Sequence, residues 1–490
     1  MVRDALFAFF LGTSGAWDAF VIAFAIPNMF RHLFGEGALT SAFVPVLVQK
    51  IEREGKTGAE VLIRSVVGWM LLVLGGLVLL AAIGTLAAEH GLTLEPDVVL
   101  ILRTLRVTLP YALLICLTAV LGAALNGLRH FAMPALAPLL LNVVLCASAF
   151  ATDLAGSDKE KLKIVALAVL IGGVVQLAAQ LPPLTRRGFI PWPRWSWGGT
   201  GLGEVITTFA PAVAGLAVIQ VNEMLDNVIA KMFVEGDGAA SALYYGNRLQ
   251  QLPLALIGFS IATVAFPTLA SHAVRGERTE FGEALRRALG FVFFIALPAA
   301  VGLGVLSEEI TRVIFQRGRF DAESTVRTAW VVRAYAVGIP FYAANMVLTR
   351  AFYSVRDIKT PVRISLTTVG LNLILNLSLV YVLAERGIAA ATSATGLVNF
   401  VLLLREVRRH VDGVLRGWVA DTAWALVLGA SMGAGLVLLR WVWPMPGGQA
   451  VSWLWVAGAV LLPAALYVVA GFLLGVRPAR EVAKLTSRSR

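Results

Sequence analysis

The chain is 490 residues long, and 58% of its residues are hydrophobic while only 14% are charged. Soluble domains have about 45–50% apolar and about 25% charged residues, so this composition excludes an ordinary water-soluble fold. The net charge of +11 would suit a nucleic-acid partner, but the basic residues are spread over many short loops, and we expect no nucleic-acid partner.

Apolar stretches long enough to cross a hydrocarbon core of ~30 Å recur along the whole chain. The sequence predicts a short helix at 2–11 and a broken span at 17–48. Twelve further spans are predicted near 62–87, 98–124, 131–152, 163–184, 203–233, 239–272, 284–306, 327–352, 361–383, 387–404, 418–440 and 451–476. Only helices and closed barrels can span lipid, and strand-like alternation is missing, so we predict an all-α polytopic membrane protein of about fourteen transmembrane helices.

The density of basic residues alternates from loop to loop. One set of loops lies near 50–56, 129, 186–194, 275–287, 356–363, 405–416 and 477–490, and it holds 23 Lys and Arg residues. The loops of the opposite set, which begins at 88–97, hold 7. Because cytoplasmic loops are enriched in Lys and Arg, the first set is predicted to be cytoplasmic, with both chain termini inside.

Charged residues occur inside several of the apolar segments. They are Arg3, Asp4, Asp18, Arg31, Glu36, Asp226 and Arg248. A charge in hydrocarbon is costly, so such residues usually face a cavity and mark a transport pathway. The alternatives are that Arg3 and Asp4 pair with lipid headgroups, that Arg31 reaches the interface from a helix end, and that Arg248 packs at a helix interface. Pro27 and the segment 35–37 favour a broken helix that lines a cavity around Arg31.

Polar side chains in later spans leave two readings open. Asp226, Asn372, Asn376 and Thr392 would form either a monovalent-cation site of oxygen ligands, for Na⁺ or H⁺ coupling, or simple hydrogen bonds between helices. Cys116 and Cys146 lie inside apolar spans and indicate no disulfide framework. The five histidines have no metal-ligand spacing, and we expect neither a cofactor nor a metal.

An internal repeat divides the chain. Arg129 and Arg356 each follow a span that opens with a proline and an aromatic residue, and each precedes a proline by five positions. The sequence therefore predicts two pseudo-symmetric six-helix lobes plus two C-terminal helices, an arrangement of parallel repeats that suits alternating access. The predicted parts are an N-lobe at 1–184, a basic Trp-rich cytoplasmic linker at 185–202, a C-lobe at 203–409, and two helices with a basic tail at 410–490.

Seven stretches carry a family resemblance, and they lie at 2–5, 18–20, 27–38, 42–45, 125–142, 241–253 and 317–320. Together they resemble the MurJ/MviN lipid II flippases of the multidrug/oligosaccharidyl-lipid/polysaccharide exporter superfamily, and the block from Arg31 to Pro45 is the most specific. The chain departs from the family at Asn247, where an acid often stands, and at His32. The first helix is expected to be truncated relative to the family.

The resemblance implies a transporter of the bacterial inner membrane, not an enzyme. Its substrate would be the peptidoglycan precursor that is linked to undecaprenyl pyrophosphate. It would be surrounded by membrane lipids, and the cell-wall synthesis machinery would be a candidate partner. The last two spans would form a groove for the lipid tail. Arg3, Arg31 and Arg248 would clamp the pyrophosphate, and Asp4, Asp18 and Glu36 would complete the site.

Three alternatives stay open. The first is an ion-coupled exporter of another lipid-linked oligosaccharide or of drugs in the same superfamily. A membrane-embedded glycosyltransferase would need catalytic carboxylates and larger loops than these. A non-transporting scaffold would not need charges buried in both lobes.

Overall fold

The structure is a computed structural model that describes residues 1–35, 38–411 and 418–480, and the regular secondary structure of these residues is entirely helical. The all-α prediction is therefore confirmed. In chain order the helices are α1 (Val2–Leu11), α2 (Gly15–Gly35), α3 (Ala38–Gly91), α4 (Pro96–Thr108), α5 (Pro110–Gly127), α6 (Ala132–Ala151), α7 (Asp158–Thr185), α8 (Leu202–Phe233), α9 (Ala239–Pro253), α10 (Ser260–Arg275), α11 (Arg278–Val305), α12 (Ser307–Phe315), α13 (Ala322–Ser354), α14 (Lys359–Leu383), α15 (Glu385–Val407), α16 (Trp418–Val442) and α17 (Gln449–Leu473).

Within the described residues, 11 helical segments are long and apolar enough to cross a membrane, or 12 if the bent helix α8 is one span. These coincide with the twelve spans predicted after residue 61, whereas the total of about fourteen is not confirmed. The difference lies at the start of the chain. Helix α1 has 10 residues, about 15 Å of helix, and α2 carries Asp18, Asn28 and Arg31 among its apolar residues.

The first of two compact units comprises residues 1–228. Phe43 and Leu62 of α3 pack with Val120 of α5 in its main core, which also includes Phe189 of the segment between α7 and α8. Aromatic rings hold the short α1 in place, because Phe7 lies 4.9 Å from Trp17 of α2 between ring centroids. Burial of these large rings compensates for the small length of α1.

The second unit comprises residues 229–490, and its most closely packed helices are α13 and α15. A side-chain carbon at Gly338 would lie 3.0 Å from the Cα of Ser393, so glycine is needed for this approach. The Ser393 hydroxyl donates to the Ala334 carbonyl at 2.7 Å. In lipid the hydrophobic effect does not drive helices together. Close packing at small residues and interhelical hydrogen bonds of this kind stabilise the helix pair instead.

Ion pairs attach α16 to the second unit near both of its ends. Asp421 lies 3.5 Å from the Arg286 guanidinium of α11, and Arg440 lies 2.5 Å from the Glu309 carboxylate of α12. The two positions on α16 are about 29 Å apart along the helix axis, close to the ~30 Å thickness of a hydrocarbon core. Both ion pairs can therefore lie at the membrane interfaces while the apolar middle of α16 spans the lipid.

The two arginines of the internal repeat have the same local structure. Arg129 (φ 57°) and Arg356 (φ 61°) both adopt the left-handed conformation directly after a helix. In each copy the following residue donates its N–H to a carbonyl five positions back, His130 to Leu125 at 2.8 Å and Asp357 to Phe352 at 3.0 Å. This Schellman motif ends α5 and α13 in the same way, although glycine is the usual residue at that position.

Candidate functional site

Arg3 of α1 is held by two acceptors within the first unit. Its Nη2 donates to Asp4 Oδ1 at 2.7 Å, and its Nη1 donates to Asn142 Oδ1 of α6 at 3.1 Å. Asp4 is only 2% exposed, so the Arg3 guanidinium compensates a carboxylate that has lost nearly all of its water. The orientation of the Arg3 guanidinium is set by two acceptors, the charged Asp4 carboxylate and the neutral Asn142 amide of α6.

Arg31 lies in the last turns of α2, which continues through Pro27 and ends at Gly35. Its Nε donates to Asn28 Oδ1 at 2.9 Å, and its Nη2 lies 2.7 Å from His32 Nε2. A guanidinium has donors only, so the His32 ring nitrogen must be the acceptor.

Tyr111 of α5 takes part in a buried polar contact within the first unit. Its side chain is fully buried, and its ring lies 5.8 Å from that of Phe24 of α2 between centroids. The hydroxyl donates to Gln176 Oε1 of α7 at 3.4 Å, and the Gln176 amide donates to the Ala137 carbonyl of α6 at 2.8 Å. These hydrogen bonds thus link α5, α6 and α7, and α6 also supplies the Asn142 acceptor of Arg3.

Of the two remaining acidic residues of the predicted site, Asp18 and Glu36, the structure describes Asp18. Asp18 is completely buried in the first turn of α2, where Ser14 Oγ accepts the Trp17 N–H at 3.3 Å. The helix dipole favours an anion at that position. Glu36 lies outside the described residues.

Arg248 belongs to the second unit, on α9. Its Nη1 donates to Gln251 Oε1 at 2.9 Å, and its guanidinium carbon lies 4.9 Å from the centre of the Tyr244 ring. The adjacent Tyr245 is buried against Phe315 and Phe320. A rigid aromatic base therefore orients the half-buried guanidinium.

The polar residues of the predicted ion site form hydrogen bonds within and between α14 and α15. Asn376 Nδ2 donates to Asn372 Oδ1 at 2.9 Å, and Asn372 Nδ2 donates to Thr395 Oγ1 of α15 at 3.3 Å. The Thr392 hydroxyl donates to the Ile388 carbonyl one turn earlier at 3.0 Å. Asp226, on α8 of the first unit, is 7% exposed. Cation binding by these residues stays a prediction.

Sequence reasoning singled out the arginines but gave no role in the site to Tyr111, Gln176 or Asn28. Gln176 is an amide inside an apolar span, and Tyr111 follows the repeated proline, so both carried a weak signal. Their part in the site depends on contacts between helices that are far apart in the chain. Guanidinium groups supported by amides and a tyrosine form a region suited to binding an anion.

Comparison with known proteins gives a consistent result. The family model described as lipid II flippase MurJ matches residues 7–455. A probable lipid II flippase MurJ of Rhizobium tropici is 33% identical over 488 residues, which cover 96% of this chain and 90% of that protein. One from Vibrio cholerae serotype O1 is 32% identical over 502 residues, with 97% and 93% covered.

A solved structure has the same fold. It is described as lipid II flippase MurJ in an inward closed conformation, and it matches with a TM-score of 0.80 at 24% sequence identity. The match covers 97% of this chain and 96% of that chain.

Proposed function

Because this chain belongs to the lipid II flippase MurJ family, we propose that it carries lipid II from the cytoplasmic to the outer leaflet of the bacterial inner membrane by alternating access. The family consists of transporters, and the chain is a multi-pass membrane protein rather than an enzyme. The headgroup crosses through the protein while the lipid tail stays in the bilayer. Covalent bonds are neither made nor broken.

The observation that supports this proposal most directly is that Arg3 and Arg31, both within apolar segments of the first unit, hold their guanidinium groups on side-chain acceptors. A pyrophosphate carries two or more negative charges, and a guanidinium binds phosphate oxygens through paired, charge-assisted hydrogen bonds. We propose that Arg3 and Arg31 bind the pyrophosphate of lipid II, and that Arg248 of the second unit is a further ligand.

The neighbouring acceptors have a role before substrate arrives. Asp4, Asn142 and Asn28 accept hydrogen bonds from the two arginines at 2.7 to 3.1 Å. An unpaired buried charge would be strongly destabilising, so these acceptors keep the empty site stable. Phosphate oxygens would then replace them as acceptors. Asp18 and Glu36 are proposed to contribute in the same way.

The test is complementation of cells that are depleted of their own lipid II flippase. Removing one arginine forfeits a charge-assisted hydrogen bond worth about 1.5–3 kcal/mol, which corresponds to roughly ten- to a hundredfold in binding. Arg3→Ala, Arg31→Ala and Arg248→Ala should each fail to support growth while the protein still accumulates in the membrane. Lysine at these positions should rescue poorly, because a point charge does not reproduce the guanidinium fork.

Matched controls remove the same charge from exposed positions. Arg186, Arg278 and Arg408 lie at helix ends or loops, and alanine at each should be tolerated because neighbouring basic residues share their topogenic role. Growth of the three site variants as good as that of these controls would contradict the proposed pyrophosphate site.

Coupling to Na⁺ is a separate proposal that rests on the buried Asp226. If sodium binds there, it should raise the melting temperature of the purified protein, and Asp226→Ala should abolish that increase. Identical melting curves of the parent protein with and without sodium would rule it out.

A further inference from the structure

The segment between α7 and α8, residues 186–201, is called the linker below, and it is fastened to one side of α3. The Arg194 N–H donates to the Arg64 carbonyl at 3.0 Å, and the Arg64 Nε donates to the Trp192 carbonyl at 3.1 Å. The Trp195 indole donates to the Gly68 carbonyl at 3.0 Å. The linker therefore has a defined position although it contains no helix.

Two further contacts fix the ends of the linker. Lys56 of α3 lies 5.7 Å from the centre of the Phe189 ring, and Lys50 Nζ donates to the Gly199 carbonyl at 2.9 Å. Between these ends, the Trp69 and Trp197 rings meet edge to face with centroids 5.3 Å apart. The linker runs along α3 and returns, held at both ends by lysines.

The docking position sets the depth of the linker in the membrane. Residues 65–88 of α3 contain no charged side chain, and 24 residues of helix are about 36 Å long, slightly more than a ~30 Å hydrocarbon core. Trp195 and Trp197 dock at Gly68 and Trp69, which lie within about 6 Å of the start of that stretch. They are therefore at the level of the membrane interface, where tryptophan is enriched.

The outer side of the linker is both aromatic and basic. Trp192, Trp195 and Trp197 are 70%, 62% and 54% exposed in spite of the docking contacts. The exposed Arg186, Arg187 and Arg194 accompany them, and the linker contains no acidic residue. Exposed indole rings and guanidinium groups at interface depth complement a negatively charged lipid surface.

We propose that the linker is a binding surface for anionic phospholipid headgroups, with its tryptophans in the interface and its arginines on the lipid phosphates. Binding holds the linker against α3 and fixes this part of the first unit at a set depth. The partner is the anionic lipid surface, because neutral zwitterionic lipids offer the arginines no net charge.

The experiment is amide hydrogen exchange of the full-length protein in lipid nanodiscs. Linker amides should exchange at least about fivefold more slowly in nanodiscs containing phosphatidylglycerol than in pure phosphatidylcholine, which corresponds to the effect of a single basic residue near an anionic surface. The loop at 88–97 has no basic residue other than histidine and should show no such difference. Both leaflets of a nanodisc have the same lipids, so the result does not depend on which membrane face holds the linker.

Two variants with the same charge change separate the linker from the rest of the surface. Arg186→Gln with Arg194→Gln removes side chains that take no part in the docking hydrogen bonds above, so its melting temperature in detergent should equal that of the parent. This variant should show a smaller difference between the two lipids than the parent, because Arg187 is the one exposed linker arginine that remains. Arg405→Gln with Arg408→Gln, in the second unit, should keep the full lipid effect on the linker.

A third variant tests the aromatic contribution. Trp192→Ala should speed linker exchange equally in both lipids, because the indole contributes without net charge. The proposal is overturned if the parent exchanges equally in both lipids, if the Arg186 and Arg194 variant keeps the full difference of the parent, or if the Arg405 and Arg408 variant loses it.

Discussion

Glycine occurs at position 68 because the linker backbone passes closer to α3 than a side chain there would permit. A carbon added at Gly68 would lie 2.8 Å from the Arg194 backbone nitrogen and nearer still to its carbonyl oxygen. The added carbon would clash with backbone atoms of Arg194, so no change of a side-chain rotamer relieves the clash. Gly76, two turns further along the same helix, has no atom within 4 Å of that position.

We expect Gly68→Ala to displace the linker and to lower the stability of the protein by about 1–3 kcal/mol, the usual cost of overpacking. The matched change Gly76→Ala should stabilise α3 by up to about 1 kcal/mol, because alanine is the better helix former. Melting temperatures in the same detergent measure both effects. Equal stability of Gly68→Ala and Gly76→Ala would show that the linker does not lie against α3.

The other residues whose role depends on tertiary contacts are those around Tyr111. Arg3 and Arg31 could be singled out from the sequence because a cation in an apolar segment is unusual. Tyr111 looks like any aromatic residue in a span, and only the folded unit brings its hydroxyl to Gln176 of α7. The second acceptor of Arg3 likewise comes from α6, more than a hundred residues away in the chain.

At the scale of helices, the two copies of the repeat end α5 and α13 with an arginine in the left-handed conformation. An L-residue with a side chain is strained there, by about 1–3 kcal/mol, whereas glycine is not. An arginine in that position supplies positive charge to a predicted cytoplasmic loop. The strain is therefore consistent with selection for topology at the expense of local stability.

Arg356→Gly should accordingly stabilise the protein by about 1 kcal/mol, since it relieves that strain while keeping the Schellman hydrogen bonds. The control is Arg363→Gly, because Arg363 is exposed inside α14 and glycine within a helix costs about 1 kcal/mol. Thermal unfolding of both variants should shift in opposite directions. A decrease for Arg356→Gly as large as that for Arg363→Gly would contradict this explanation.

Two helices begin at side-chain caps, about five residues before the predicted spans 163–184 and 327–352. Ser157 and Glu160 form a capping box at the start of α7, and Asp321 Oδ1 accepts the Ser324 N–H at 2.8 Å at the start of α13. That hydrogen bond lowers the pKa of the Asp321 carboxyl, so the cap is charged at neutral pH. Local signals did not indicate that α3 would extend beyond the span at 62–87, from Ala38 to Gly91 with a break at Gly55.

At the scale of the whole molecule, orientation in the membrane is a prediction from the distribution of basic residues, 23 in one set of loops and 7 in the other. Single cysteines can test it in a background without Cys116 and Cys146. Thr93, between α3 and α4, and Thr279, in the first turn of α11, are both exposed, and they belong to segments of opposite sets.

A membrane-impermeant thiol reagent should label Thr93→Cys in intact cells and should label Thr279→Cys only after the membrane is opened, because the Thr279 loop is predicted to be cytoplasmic. The two labelling intensities should be equal in opened membranes, which controls for reactivity. Labelling of Thr279→Cys but not Thr93→Cys in intact cells would invert the predicted topology.

The sequence by itself determined the class of the protein and its family. Apolar content and the repeated occurrence of apolar stretches about 20 residues long can be read directly from the chain. They are enough to specify a helical membrane protein, because lipid permits so few backbone structures. The blocks around Arg31 and Arg248 were also enough to indicate the family, since they are contiguous in the chain.

Only the tertiary structure decided which polar groups act together. Hydrogen bonds of Tyr111 and Gln176 join α5, α6 and α7, and the linker lies on α3 through contacts between residues more than a hundred positions apart. Hydropathy and charge patterns carry no information on such pairings, because each depends on how helices pack and on which backbones approach closely enough to exclude a side chain. The total of about fourteen spans is not confirmed, since 11 or 12 of the described helical segments are long and apolar enough to cross a membrane and the short α1, which packs on Trp17 of α2, is not among them.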